Sequence, residues 1–117
     1  MNAYENYLVG NDYLQKSEYR SAIDYFIESN KQESHYKTYE KLFLCYYSLN
    51  LMEEAFECIR CSYELNSKND KTALQYAKFL IEYKHDHILA KAILSDILRR
   101  NPSFKPAEKL FGELCLQ

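Results

Sequence analysis

Residues 10–26, GNDYLQKSEYRSAIDYF, carry apolar letters at helical spacing, with one discordant letter, the glycine at the start. A glycine inside a helix costs about 1 kcal/mol relative to alanine. The chain has only two glycines, and Gly112 follows Gly10 by 102 residues, three times 34. A costly residue that returns at a multiple of a short period predicts a helical repeat protein.

Outward from this stretch, apolar periodicity near 3.6 recurs in segments of 12 to 14 residues parted by short polar breaks. It predicts seven helices, over 4–15, 19–31, 36–49, 53–65, 70–83, 87–100 and 105–116. Asn50, three residues before Glu53, reads as an N-cap with its reciprocal partner. Asp86 is placed to cap the sixth helix, and Asn101-Pro102 to stop it. The helices fall into pairs. Tyr13 and Tyr46 are 33 apart, as are Ala22 and Ala55, whereas Ala55 and Ala90 are 35 apart. One inter-pair turn is thus expected to be a residue short and the next a residue long.

Helix pairs at this period resemble the tetratricopeptide repeat, W-x2-L-G-x2-Y…A-x3-F…P. The first unit supplies Gly10, Tyr13, Ala22 and Phe26 at the family's spacing. The second supplies Leu42, Tyr46, Ala55 and Ile59, with Phe43 in place of the glycine. The third keeps Ala90, Leu94 and Pro102, with Lys78 in the glycine position and Ile81 in the tyrosine position. A final half-unit keeps Phe111 and Gly112. The resemblance implies an all-α, right-handed alpha-alpha superhelix of seven antiparallel helices in one domain over 1–117. Repeats would span 3–35, 36–70 and 71–104, with a capping helix over 105–117. It implies closest approach of the first pair where Gly10 faces Ala22, with Tyr13 and Phe26 on either side. Phe43 against Ala55 would make the second unit the least regular, and Lys78 would lay its stem over the seam. In the cap, Ala107, Leu110, Phe111, Leu114 and Cys115 form the apolar stripe, and Glu108, Lys109, Glu113 and Gln117 the polar face.

Composition agrees with a globular helical chain of 117 residues. Two prolines and two glycines are too few for an all-β protein, and a net charge of −2 leaves no basic footprint for nucleic acid. No apolar run reaches the roughly 18 residues of a membrane span, and MNAYENYLVG has no signal-like core, so a cytoplasmic chain is expected. Cys45, Cys58, Cys61 and Cys115 lack a disulfide framework and read as reduced thiols.

Catalytic, cofactor and metal sites are not expected. Cys58-Ile-Arg-Cys61 has a C-x-x-C spacing but falls within a helix, without the second pair a zinc site requires. His85-Asp86-His87 reads as a solvated turn, with His35 at a helix start. Glu53, Glu54 and Glu57 read as a solvated helix opening. No glycine-rich phosphate loop or serine elbow is present, which argues against an enzyme.

The remaining signal is twelve tyrosines. The first helices of the pairs are apolar on two sides, where a surface helix needs one stripe. In the first, Tyr4, Tyr7, Leu8, Asn11 and Leu14 form the second face. In the second these positions are Lys37, Glu40, Lys41, Leu44 and Tyr47, and in the third Thr72, Gln75, Tyr76, Phe79 and Tyr83. The resemblance implies that this face lines a concave groove that binds a peptide or helical segment of another protein, apolar or aromatic with acidic residues. Self-association or a place in a larger scaffold is the alternative, and a metal or redox protein a more distant one. Family members that bind heat-shock chaperone tails use Lys-x3-Asn, then Asn, then Lys-x3-Arg. Here Tyr7 and Asn11, Lys41, and Thr72 and Tyr76 stand there, so only Asn11 matches and such a tail is not the expected ligand.

Overall fold

The computed structural model describes residues 1–116; the Gln117 position in the capping helix's polar face lies outside them. The described chain is helical throughout, with no strand, and forms two compact units. The first, Met1–Leu65, holds α1 (Ala3–Gln15), α2 (Tyr19–Gln32), α3 (Tyr36–Ser48) and α4 (Met52–Leu65). The second, from Asn66 onward, holds α5 (Asp70–Phe79), which runs on into a π-helical turn (Leu80–Lys84), then α6 (His87–Arg100) and α7 (Lys105–Cys115). These spans lie within a few residues of those the periodicity predicts.

Local chemistry fixes the ends. Asn2 and Glu5 form a reciprocal capping box at α1, with bonds of 3.0 and 2.8 Å. Asn69 accepts from the Thr72 N–H and Asp86 from the Leu89 N–H, at 3.0 and 3.1 Å. Asn50 does not cap α4. It sits one position further out, at φ 60°, and belongs to the turn that closes α3. Ser17, at φ 59°, does the same after α1. In both turns an N–H reaches back five residues: Glu18 to the Tyr13 carbonyl at 2.9 Å, and Leu51 to the Tyr46 carbonyl at 2.8 Å. Such left-handed turns satisfy carbonyls that a helix end leaves open. They also make successive helices antiparallel neighbours.

The core follows the pattern of small against large. Ala22, Phe26, Ala55 and Ile59 are fully buried in the first unit; Ala73, Ala77, Ala90, Leu94, Ile97 and Ala107 are fully buried in the second. Over Gly10 lies the ring of Phe26, which an added Cβ would meet at 2.7 Å. The feature that needs a glycine in α1 is therefore this ring, more than the opposite Ala22. Buried serines tie each second helix to its first: Ser29 Oγ donates to the Ala3 carbonyl at 2.7 Å, and Ser62 Oγ to the Tyr36 carbonyl at 2.9 Å. In the second unit an Arg100–Asp70 ion pair at 3.0 Å links α6 to the start of α5.

The irregular helix is in the third pair, not the second. Phe43 is buried within a regular α3, its ring 5.7 Å from that of Tyr47. In the third pair the Asp86 N–H reaches the Leu80 carbonyl at 3.0 Å, six residues back instead of five, and the left-handed residue is His85. The extra residue is inside the π-turn. Leu80 is therefore the counterpart of Tyr13 and Tyr46, and Ala77 that of Gly10 and Phe43. Consistently, Ala77 is fully buried and Lys78 exposed, so Lys78 does not cover the seam. In the cap, Ala107 and Leu114 are buried and Leu110 and Phe111 half-buried, but Cys115 is exposed.

Candidate functional site

The second face of α1 and α3 stays largely uncovered within the first unit. Tyr4 is 67% exposed, Leu8 44%, Leu44 41% and Tyr47 46%. Lys37 is exposed, and Tyr7, Asn11 and Lys41 are half-buried. Tyr7 leans on Phe26, ring centroids 5.8 Å apart, so one edge of it belongs to the core. Large apolar side chains left in water on two helices that touch each other form a patch of the kind that marks interaction surfaces.

The third set of positions behaves differently. Tyr76 and Phe79 are 5% and 4% exposed, so they are core residues and offer no surface to a ligand. Tyr83 is half-buried, with its ring 5.3 Å from that of Phe79 and the Lys84 ammonium 5.0 Å above it. The cause is the register. Counted from Ala77, the positions matching Lys37, Glu40, Lys41, Leu44 and Tyr47 are Lys71, Leu74, Gln75, Lys78 and Ile81. Of these Lys71 and Lys78 are exposed, Gln75 and Ile81 half-buried and Leu74 buried. The same shift brings Lys71 and Gln75 into the positions read as Thr72 and Tyr76 in the chaperone-tail motif. Asn11 and Lys71 then match it, and Tyr7, Lys41 and Gln75 depart from it.

A cleft of about 540 Å³ opens at the start of α3. Tyr4 and Tyr7 of α1 line it together with Tyr36, Lys37 and Thr38 of α3. Glu33 and His35 reach it from the turn before α3. His35 lies on Tyr36, ring centroids 4.9 Å apart, and its Nδ1 accepts from the Lys37 N–H at 3.1 Å. No sequence pattern announces this cleft, because three separate segments build it.

The Cys45 and Cys58 thiols are buried in the packing, Cys61 is half-buried and Cys115 exposed. Burial pushes the Cys58 thiol up to about 12, reinforced by Cys61 and Glu57, and pushes Cys45 up to about 11. A nucleophilic or metal-binding cysteine requires the opposite shift. All four cysteines are free. Among the described residues no group of three or more His, Cys, Asp or Glu is arranged to hold a metal ion. Glu57 and Glu64 both pair with Arg60, at 2.6 Å each, on the outer side of α4. No described helix is long and apolar enough to cross a membrane.

No family model and no curated protein matches the chain in sequence. Solved structures match it in fold. Yeast Tom70 superposes with a TM-score of 0.80 at 23% identity, over 97% of this chain and 23% of Tom70. The first TPR of Spaghetti (RPAP3), bound to the HSP90 peptide SRMEEVD, gives 0.78 at 16% identity, over 98% of this chain and 91% of that one. YrrB, a TPR protein with an unusual peptide-binding site, gives 0.79 at 19% identity, over 96% and 58%. The chain therefore has the fold of the tetratricopeptide-repeat helical solenoids.

Proposed function

We propose that this chain is a non-catalytic protein-binding module. It takes a peptide or helical segment of another protein on the face of α1 and α3 that presents Tyr4, Leu8, Leu44 and Tyr47. The observation that carries the reading is their exposure, 41% to 67%, on helices whose opposite sides already pack a core. Tyrosine and aliphatic side chains of this kind concentrate binding energy when a partner covers them. Lys37 and Lys41 on the same face favour an acidic partner and speed its approach. Peptide complexes among proteins of the same fold support the reading, as do raised thiol pKa values that argue against redox or metal chemistry. Free cysteines agree with a cytoplasmic setting.

The test compares quantitative pull-downs by the parent and by a Tyr4→Ala/Leu8→Ala/Tyr47→Ala variant with an unchanged melting temperature. Loss of the same captured proteins in the variant is expected; identical capture sinks the reading. Sedimentation at several concentrations separates the alternative, since a dimer abolished by these substitutions would make the face a self-association surface.

A further inference from the structure

Within α7 stands a glycine for which the described chain gives no steric reason. In α1 the ring of Phe26 lies where a Gly10 Cβ would be, but at Gly112 nothing comes within 4 Å of that position. A helical glycine lowers stability by about 1 kcal/mol, and it commonly marks the close approach of another backbone. Gly112 is exposed, on the side of α7 away from the buried Ala107 and Leu114. It lines a cleft of about 670 Å³ with Lys105, Pro106, Glu108 and Lys109. Leu116, one turn further on, is 89% exposed. Lys105 pairs with Glu108 along the helix at 3.5 Å. Lys109 and Glu113 are exposed, and neither has an ion-pair partner among the described residues.

This face is complementary to itself. A two-fold axis level with Phe111 and perpendicular to α7 generates an antiparallel copy, in which residues equally far from 111 stand side by side. Lys109 then lies beside the second copy's Glu113, and Glu113 beside the second copy's Lys109. Leu116 falls on the second copy's Pro106. The two Gly112 residues flank the axis, where the helices come nearest and a side chain would hold them apart. One patch meeting itself is the form that a closed two-fold contact takes. We infer that α7 pairs with α7 of a second copy of this chain, forming an antiparallel homodimer. A helix of 11 residues covers well under the roughly 800 Å² per partner of a standard interface, so the dimer is weak and fills at high protein concentration. The contact leaves the α1 and α3 face uncovered and stands independently of the protein-binding reading above.

Sedimentation equilibrium of the intact chain, from micromolar to millimolar protein, tests it. A monomer–dimer equilibrium is expected, weakened by added salt. Gly112→Leu should abolish the dimer without lowering the melting temperature. Lys109→Glu and Glu113→Lys should each weaken it at least about fivefold, because like charges then stand side by side. An equimolar mixture of these two variants should dimerise as tightly as the parent, since every pair in the mixed dimer is again Lys with Glu. A chain that stays monomeric at millimolar concentration overturns the inference, as does a mixture no tighter than its components. A dimer that survives Gly112→Leu but is lost in Tyr4→Ala/Leu8→Ala/Tyr47→Ala also overturns it, by moving the contact to the α1 and α3 face. A monomeric parent that captures another protein, lost in Gly112→Leu, overturns it in favour of a partner's helix on α7.

Discussion

Gly10→Ala adds one methyl group to α1 and aims it at Phe26. An ideal Cβ at that position stands 2.7 Å from Cε1 and 2.8 Å from Cδ1 of the ring, well inside ordinary contact. The ring has little room to yield, being fully buried and backed by Tyr7. Overpacking of this kind costs about 1–3 kcal/mol. Replacing a helical glycine returns about 1 kcal/mol, so the net loss is about 0–2 kcal/mol. Gly112→Ala supplies the control. Nothing lies within 4 Å of its Cβ position, so the same exchange brings only the gain. The two variants should therefore differ by about 1–3 kcal/mol, or about 4–12 °C at about 4 °C per kcal/mol for a chain of this length. Thermal unfolding followed by far-ultraviolet circular dichroism reads the difference. In a Phe26→Leu background the gap should shrink, because the smaller side chain clears the methyl. Coincident melting of Gly10→Ala and Gly112→Ala, or a gap that survives Phe26→Leu, would refute the contact.

Two further outcomes separate core from surface. Phe79→Ala should destabilise the protein by about 3–5 kcal/mol as a buried aromatic, while Tyr4→Ala should stay within about 0.5 kcal/mol of the parent; similar melting of both in denaturant titrations would contradict their burial. The Cys45 and Cys58 thiols, held at about 11 and 12 against an ordinary 9.0, favour the folded state fully below pH 9 and lose that contribution as pH rises through 11 and 12. A Cys45→Ala/Cys58→Ala variant should therefore lose stability less steeply between pH 9 and 12, and iodoacetamide at pH 8 should label Cys115 before either thiol.

Helices and pairs are legible in the letters because each pair buries one stripe, and burial leaves a periodic trace. Asp86 announces its cap because a short acceptor before an apolar run has few other uses. Asn50 misleads for a related reason: the same residue type favours the left-handed turn it occupies. The third repeat is misread by one place, since the extra residue is neither proline nor glycine and sits in an unbroken run, LIEYK. That single place moves Tyr76 and Phe79 from the face to the core. Tyr4, Leu8, Leu44 and Tyr47 are legible, because no register change precedes them. The cleft is not, since its walls are neighbours drawn from separate segments.

The π-turn in α5 bears on how such a chain tolerates changes of length. An extra residue in an α-helix rotates everything beyond it by about 100°, turning buried positions outward. Widening a single turn absorbs that rotation where it arises, so beyond it the Asp86 N–H still closes onto the Leu80 carbonyl and α6 still buries Ala90, as α4 buries Ala55. What the three pairs share is then angular phase, not a fixed number of residues. Extra residues in a repeat of this kind need not lodge in loops. They can persist inside a helix as a local loosening, visible only as a count of 35 where 33 or 34 is the habit.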